Sequence, residues 1–248
     1  MMKTMIITGA SRGIGAATAL LAAKNDFSVV VNYLKHKIEA DKVVRDIVDA
    51  GGKAVAIQAD ISKEGDVLRL FSETDRLFGN LHSLINNAGI LERQMRLEDI
   101  GISRLNRIFS ANITGQFLCA REAVKRMSTR HGGKGGTIVN VSSLAAKTGA
   151  PSEYVDYAVS KGALDTLTIG LSKEVAHEGI RVNAVRPAFI YTDIHADGGE
   201  YDRVNRIKES IPMKRGGTAH EVAEAIIWLA SEKSSFSTGT FIDITGGS

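Results

Sequence analysis

The sequence predicts an α/β fold with one doubly wound, parallel, seven-stranded sheet and helices on both of its faces. Short β-branched runs alternate with longer stretches in which apolar residues recur every three or four positions, which is the pattern of repeated βα units. Glycines end several helical stretches, as at Gly51-Gly52 and Gly79, because glycine adopts the left-handed conformation of a helix end without a Cβ clash. The length of 248 residues, with no repeat or linker in the sequence, predicts a single domain over residues 1–248.

Seven β-branched runs bounded by turn residues are predicted to form the strands. They are Lys3–Thr8, Phe27–Tyr33, Lys53–Gln58, His82–Asn86, Gly136–Val141, Ile180–Arg186 and Thr240–Ile244. The stretches between them predict the helices Ile14–Lys24, Glu39–Ala50, Glu64–Phe78, Ser103–Thr129, Tyr157–Glu178 and Ala219–Ser231. The segment from Ile190 to Gly217 is polar, contains glycine and breaks the alternation, so residues 190–217 are predicted to form a lid over the substrate.

The composition favours a globular chain with a substantial core. Hydrophobic residues make up 44% of the sequence, charged residues 24%, and there are only 3 prolines. The 31 basic and 28 acidic residues are interspersed and leave a net charge of +3. Because no continuous basic run is present, nucleic acid is not an expected partner.

The N-terminus and the apolar runs carry no signal for export or membrane insertion. The run Met5-Ile6-Ile7 is too short for a signal peptide, and no apolar stretch reaches the roughly 18 residues that a membrane span needs. The single cysteine, Cys119, cannot form an internal disulfide, and its apolar neighbours predict a buried residue in a reducing compartment. We therefore expect a cytoplasmic protein with no membrane partner.

Three glycines follow the first predicted strand, in Thr8-Gly9-Ala10-Ser11-Arg12-Gly13-Ile14-Gly15. Glycine lets the backbone turn tightly and approach a pyrophosphate, and the helix that follows offers free N–H groups and the positive end of its dipole. The spacing Gly-x-x-x-Gly-x-Gly differs from Gly-x-Gly-x-x-Gly. By itself the cluster is therefore as consistent with a tight turn as with a dinucleotide site.

Two further motifs favour the dinucleotide site. Asn86-Asn87-Ala88-Gly89 follows the fourth predicted strand, and Tyr157-x-x-x-Lys161 opens a later helix. In identity and order the three motifs resemble the short-chain dehydrogenase/reductase family, and the resemblance covers essentially the whole chain. The C-terminal third is similar to glucose 1-dehydrogenase-like and carbonyl reductase-like members. The resemblance implies a Rossmann-type fold that binds a nicotinamide cofactor.

The resemblance also implies which residues contact the cofactor. They are Gly9, Ser11, Arg12, Gly13, Ile14, Gly15, Asn32, Tyr33, Asp60, Ile61, Asn86, Ala88, Gly89, Tyr157, Lys161, Pro187, Ile190 and Thr192. Asp60 matches the position that usually meets the adenine ring, and Thr192 the position that meets the nicotinamide carboxamide. The alternative is that some of them only shape loops. Ala188 stands where the family usually has glycine, and alanine resists positive φ.

The end of the second strand bears on the choice between NAD(H) and NADP(H). A carboxylate there would accept hydrogen bonds from a ribose 2′-hydroxyl and repel a 2′-phosphate. The chain instead has Asn32-Tyr33-Leu34-Lys35-His36, with no carboxylate before Glu39. Arg12 has the planar fork that suits a phosphate, although a surface ion pair is its alternative role. We expect NADP(H) as the preferred cofactor and NAD(H) as the alternative.

Tyr157 and Lys161 are the predicted proton-transfer pair. They lie four residues apart in a helical stretch and so project from one helical face. A free phenol has a pKa of about 10, too high for efficient proton transfer at neutral pH. A neighbouring ammonium group and the positive charge of an oxidised nicotinamide lower that pKa, which is the physical reason for the pair.

The family resemblance adds two residues to the predicted catalytic set. Ser143, after the fifth predicted strand, matches the serine that holds the substrate oxygen, and Ser142 is the alternative. Asn112 matches the supporting asparagine. A polar residue inside an apolar helix can kink it and position water against Lys161.

The histidines do not predict a metal site. The six histidines are scattered and lack metal-ligand spacing. His195 falls in the predicted lid, where it is either a substrate contact or a solvated loop residue.

The expected function is NADP(H)-dependent hydride transfer to and from a small carbonyl or alcohol substrate, with Tyr157 as the general acid and base. One alternative is a 3-oxoacyl-carrier-protein reductase. Another is a non-catalytic cofactor sensor, which the presence of both Tyr157 and Lys161 disfavours. The resemblance, and the apolar residues on more than one face of the two longest predicted helices, predict a homotetramer.

Overall fold

The computed structural model describes residues 2–248. Its strands are β1 (Lys3–Ile7), β2 (Phe27–Tyr33), β3 (Lys53–Gln58), β4 (Leu81–Asn86), β5 (Gly136–Val141), β6 (Ile180–Pro187), β7 (Ile190–Tyr191), β8 (Gly217–Thr218) and β9 (Phe241–Ile244). Seven of them form one parallel sheet in the order β3-β2-β1-β4-β5-β6-β9, and β7 pairs separately with β8. The predicted fold class is confirmed, and each of the seven predicted strands matches an observed one to within one residue at either end.

The helices flank this sheet. They are α1 (Gly13–Lys24), α2 (Lys37–Asp49), α3 (Glu64–Phe78), α4 (Ile102–Phe109), α5 (Gly115–Met127), α6 (Ala145–Thr148), α7 (Val155–Val175), α8 (Ile194–Asp197), α9 (Arg203–Ile207) and α10 (Ala219–Ala230). Within residues 2–248, no helix has the length and apolar character needed to cross a membrane.

Two apolar clusters form the core, one on each face of the sheet. Met5 and Ile7 belong to the first cluster and Ile6 to the second, because successive side chains of a strand point to opposite faces. The first cluster includes residues of α1, α2 and α10, and the second includes residues of α3, α5 and α7. All seven residues of β2 are buried, as expected for a parallel strand that is covered on both faces.

The predicted helix Ser103–Thr129 is wrong as one regular element. Residues Ser110–Thr114 form a π-helical turn between α4 and α5. The buried Asn112 lies in this turn, and its side chain forms two hydrogen bonds with the backbone of Ile90. π turns are rare in proteins, and those that occur are often found at functional sites.

Residues 190–217 contain more regular structure than the sequence predicts. The β7–β8 pair brings the two ends of the segment together, and α8 and α9 lie between them. Val204 and Ile211 are 4% and 2% exposed, so apolar burial anchors the segment to the rest of the chain.

Candidate active site

A cleft of about 910 Å³ lies along the carboxyl ends of the strands. It extends from the glycine turn after β1 to the 190–217 segment. The strand order reverses between β1 and β4, and doubly wound sheets bind their ligands at such a switch point.

The glycine turn is held against the Asn87-Ala88 segment by backbone contacts that exclude side chains. Gly9 has a φ of +62°, and a Cβ on it would lie 2.9 Å from the Cα of Ala88. A Cβ on Gly15 would lie 2.6 Å from the carbonyl oxygen of Gly9. The hydroxyl oxygen of Thr8 accepts hydrogen bonds from the N–H groups of Asn87 and Ala88, each at 3.0 Å. The local sequence therefore permits only glycine at Gly9 and Gly15 without a shift of the backbone.

This turn leads into the N-terminus of α1. The Arg12 side chain makes no capping hydrogen bond, so the first N–H groups of α1 face the cleft without a capping side chain. Gly13, the first residue of the helix, also has a positive φ of 57°. An open helix N-terminus behind a close glycine turn matches the pyrophosphate cradle that the sequence predicts.

Most of the predicted cofactor residues line the cleft. They are Gly9, Ser11, Arg12, Gly13, Ile14, Asn32, Asp60, Ile61, Ala88, Gly89, Tyr157, Lys161, Pro187, Ile190 and Thr192. Three others do not line it. Gly15 packs behind the turn, Tyr33 lies in the first apolar cluster, and the Asn86 amide donates to the Asn140 side chain at 3.0 Å.

Tyr157, Lys161 and Ser143 meet in the middle of the cleft. Tyr157 and Lys161 are one turn apart on α7, and the ammonium nitrogen lies 5.5 Å from the centroid of the tyrosine ring. The buried ammonium group of Lys161 donates to the carbonyl oxygen of Val141 at 2.8 Å, which fixes it beside the end of β5. Ser142 also lines the cleft, but its hydroxyl donates to the backbone oxygen of Lys161 at 3.3 Å.

Asn112 supports this centre from the π turn without lining the cleft. Its Oδ1 accepts from the Ile90 N–H at 2.8 Å, and its Nδ2 donates to the Ile90 carbonyl oxygen at 3.0 Å. A Cβ on Gly89 would lie 3.5 Å from both Asn112 Oδ1 and Lys161 Nζ. The Asn112 amide and the Lys161 ammonium group therefore both lie next to the backbone at Gly89.

A buried ion pair fixes the start of α7, the helix that carries Tyr157 and Lys161, and sequence reasoning missed it. The guanidinium of Arg104, on α4, donates to both oxygens of Asp156 at 2.6 and 3.1 Å. Asp156 Oδ1 also accepts from the backbone N–H of Tyr157 at 3.0 Å. Neither residue belongs to a recognisable motif, because an arginine and an aspartate 52 positions apart give no local pattern.

Comparison with known proteins identifies the family. A family model described as enoyl-(acyl carrier protein) reductase matches residues 9–248. The fold superposes with a TM-score of 0.89 on a mutant of a Serratia marcescens short-chain dehydrogenase/reductase, at 30% identity over 99% of this chain and 97% of that one. The chain belongs to the short-chain dehydrogenase/reductase family. The predicted resemblance is confirmed.

Curated relatives carry several names. The chain is 57% identical to the uncharacterized oxidoreductase YgfF of Escherichia coli (strain K12), over 99% of this chain and 100% of the relative. It is 36% identical to glucose 1-dehydrogenase 2 of Bacillus subtilis (strain 168), over 99% and 94%. It is 37% identical to a 3-oxoacyl-(acyl-carrier-protein) reductase of Synechocystis, over 99% and 96%. As a short-chain dehydrogenase/reductase, the protein is an NAD(P)-dependent oxidoreductase that acts on CH–OH or C=O groups.

Burial sets the ionisation of the two central groups in this short-chain dehydrogenase/reductase. It raises the pKa of Tyr157 to about 12, against an opposing hydrogen bond with Ser143. It lowers the pKa of Lys161 to about 8, against the favourable charge of Asp165. The tyrosine shift is opposite to the one that the Tyr-x-x-x-Lys pair predicts, because loss of water penalises the phenolate more than its neighbours stabilise it.

Arg12 adopts the alternative role that the sequence left open. Its Nη2 donates to the Asp197 carboxylate at 2.5 Å, and its Nη1 lies 3.8 Å from Asp193. Both carboxylates belong to the 190–217 segment. The glycine turn and that segment are therefore joined by an ion pair across the cleft.

His195 is half-buried and lines the cleft. Its Nε2 lies 3.0 Å from the carbonyl oxygen of Ile190, which can only accept, so Nε2 carries the proton. Burial lowers the pKa of His195, so the ring is neutral near pH 7. Among residues 2–248, no group of three or more His, Cys, Asp or Glu side chains is arranged to hold a metal ion.

Proposed function

We propose that this short-chain dehydrogenase/reductase transfers a hydride between NADP(H) and a small carbonyl or alcohol substrate, with Tyr157 as the general acid and base. The observation that carries the proposal is the meeting of Ser143, Tyr157 and Lys161 in one cleft with the glycine turn. Each of these groups has a separate chemical task, and all three side chains border the same space.

Tyr157 holds the proton that the reaction moves. Its raised pKa keeps the hydroxyl protonated at neutral pH, which is the state that a carbonyl reduction requires. In reduction Tyr157 donates this proton to the substrate oxygen and becomes a phenolate. In oxidation the phenolate form, which the ammonium of Lys161 and the positive charge of an oxidised nicotinamide would favour, accepts the proton from the alcohol. Ser143 donates a hydrogen bond that orients the same oxygen. The nicotinamide, when bound, supplies or accepts the hydride.

Lys161 and Asn112 position the proton donor and the cofactor. The ammonium of Lys161 stabilises negative charge on the Tyr157 oxygen and binds the nicotinamide ribose, as the family resemblance implies. Asn112 fixes the backbone at Ile90, beside this ammonium. A cofactor sensor without turnover would have no need of this complete set, so we favour an enzyme.

The preference for NADP(H) rests on charge at the end of β2. His36 and Lys37 each face a carboxylate, from Glu39 and Asp41, whereas Lys35 lines the cleft and has no carboxylate partner among residues 2–248. Arg12 supports the preference less strongly than the sequence suggests, because a 2′-phosphate must compete with Asp197 for its guanidinium.

A 3-oxoacyl-carrier-protein reductase is the second candidate. It is favoured by the Synechocystis relative of that name and by the description of the matching family model. The two candidates predict different preferred substrates, because a carrier-protein reductase should turn over acyl thioesters much faster than free ketones and aldehydes.

We also propose a cytoplasmic homotetramer. Phe117 on α5 and Val159 and Ile169 on α7 are 55%, 54% and 43% exposed, and large apolar side chains on two long helices suit burial against other copies. Light scattering at micromolar concentration tests this assembly. A mass four times that of the chain supports it, and a monomer mass contradicts it.

The direct test of the proposed function is a substrate panel. Ketones, aldehydes, sugars and acyl thioesters are offered with NADPH or NADH, and absorbance of the reduced cofactor reports turnover. Turnover of free carbonyl compounds with a preference for NADPH supports the proposal. Turnover confined to acyl thioesters supports the second candidate, and no turnover of any carbonyl compound contradicts both.

A further inference from the structure

The half of the cleft that lies on the far side of Tyr157 from the glycine turn contains one buried cation, Arg203. Its side chain is 10% exposed and lines the cleft together with Tyr154 and Phe189. The guanidinium carbon lies 5.3 Å from the Tyr154 ring centroid and 5.8 Å from that of Phe189. An arginine between aromatic walls ordinarily recognises a carboxylate or phosphate. Its surroundings show whether this charge is free to do so.

Two carboxylates from different segments neutralise Arg203. Glu153, which precedes α7 and lines the cleft, accepts from Arg203 at 2.5 and 3.3 Å. Glu200, in the 190–217 segment, accepts from it at 2.6 Å and also accepts from Arg206 at 2.5 Å. The four side chains carry two positive and two negative formal charges. Their network is therefore neutral as a whole.

The remaining cationic groups of the cleft do not supply a free charge beyond Tyr157. Arg12 is paired with Asp197, and His195 is neutral near pH 7. Lys161 is buried and belongs to the catalytic centre. Lys35 lies on the segment after β2, in the half of the cleft that contains the glycine turn. An anionic substrate would therefore lose its hydration without meeting an uncompensated cation in this half.

We infer that the cleft selects carbonyl or alcohol substrates without a net charge, and that Glu153 sets this selection by cancelling the charge of Arg203. The inference rests on the proposed function, because it names the substrate class of the same site. The Glu153 side chain is 34% exposed, so it is also close enough to solvent to repel an arriving anion. Removing its charge should convert Arg203 into an anion site.

The variant Glu153→Gln tests this directly, since glutamine keeps the size and one oxygen acceptor but not the charge. The matched substrates are methyl 4-formylbenzoate and 4-formylbenzoate, which differ by one ester group. In the wild type we expect kcat/KM for the ester to exceed that for the carboxylate at least about tenfold, and in Glu153→Gln we expect this ratio to fall about tenfold. Glu209→Gln removes the same charge from an exposed position in the 190–217 segment and should leave the ratio unchanged.

A binding measurement separates this inference from the proposed function. Calorimetric titration of benzamide and benzoate into the protein with NADP⁺ reads the charge selection of the cleft without turnover. We expect the wild type to bind benzamide more tightly, and Glu153→Gln to shift the affinity ratio towards benzoate by about tenfold. If the protein turned over no carbonyl compound but still bound benzamide more tightly than benzoate, the proposed function would be contradicted and the inference about charge selection would stand.

Glu200→Gln provides a second test, because it removes the other carboxylate and is informative if Glu153→Gln does not fold. The same shift towards the anion is expected. A wild type that prefers the carboxylate, or an ester-to-carboxylate ratio that neither variant changes, would overturn the inference.

Discussion

The two ends of the cleft are built from different kinds of interaction. At the cofactor end, Gly9 and Gly15 let backbone segments approach so closely that a Cβ would clash. At the substrate end, charged side chains do the positioning: Arg203 joins Glu153 to Glu200, and Asp197 pairs with Arg12 of the glycine turn. The first end is fixed by main-chain geometry and the second by charge pairing. Binding at the glycine turn should therefore be sensitive to added volume, and substrate choice should be sensitive to charge.

Lys161→Ala should have a large effect on both catalysis and cofactor binding, because Lys161 lies where the two ends meet. Loss of its buried ammonium should reduce kcat by about a thousandfold, within the range that acid–base groups contribute. It should also weaken NADPH binding several-fold. Lys173→Ala, on the same helix and exposed, is the control and should retain wild-type kinetics. More than a tenth of wild-type activity in Lys161→Ala would remove this residue from the proposed centre.

Gly15→Ala should act on the cofactor end alone. The added Cβ meets backbone atoms at 2.6 and 2.9 Å, so the turn has to shift. We expect the Kd of NADPH to rise about tenfold and the free energy of unfolding to fall by about 1–3 kcal/mol. Gly65→Ala is the matched control, because a Cβ at that helical position has nothing within 4 Å. Equal effects of the two substitutions would show that volume does not control this end.

The same difference decides what the sequence could predict. The glycine turn and the Tyr157–Lys161 pair are local patterns whose residue types are dictated by backbone approach and helical spacing, so both were recognisable. The pairs Arg203–Glu153 and Arg104–Asp156 join residues 50 and 52 positions apart, and any arginine or carboxylate in the chain was an equal candidate for them. The ion pair of Arg12 was left open for the same reason, since a guanidinium suits a phosphate and a carboxylate equally well.

The pH dependence of reduction sharpens the assignment of roles at the centre. The pKa of Tyr157, about 12, keeps its hydroxyl protonated throughout the ordinary range. Lys161, with a pKa of about 8, is cationic below that pH and loses its charge above it. We expect kcat/KM for carbonyl reduction to be level below about pH 8 and then to fall about tenfold per pH unit, because this ratio reports groups of the free enzyme. A level profile up to pH 10 would contradict the role of the ammonium.

Cofactor choice should show the smallest effect, because it depends on partly exposed charges. Arg12→Ala should reduce the preference for NADPH over NADH by about tenfold, at the lower end of the 1.5–3 kcal/mol of a charge-assisted hydrogen bond, since Asp197 already competes for the guanidinium. Lys35→Ala should reduce it less, and more at low salt. Lys37→Ala, whose ammonium pairs with Asp41, is the control. Equal wild-type affinities for the two cofactors, measured by fluorescence titration, would refute the preference.

The account as a whole depends on Tyr157 as the group that moves the proton. Tyr157→Phe removes only the hydroxyl, so NADPH binding, measured by fluorescence titration, should stay within about threefold of the wild type. Turnover of the best carbonyl substrate, followed by NADPH absorbance on the same samples, should fall by about a thousandfold or more. Intact binding with lost turnover is the result that the structure predicts. Near-wild-type turnover in Tyr157→Phe would contradict the proposed mechanism.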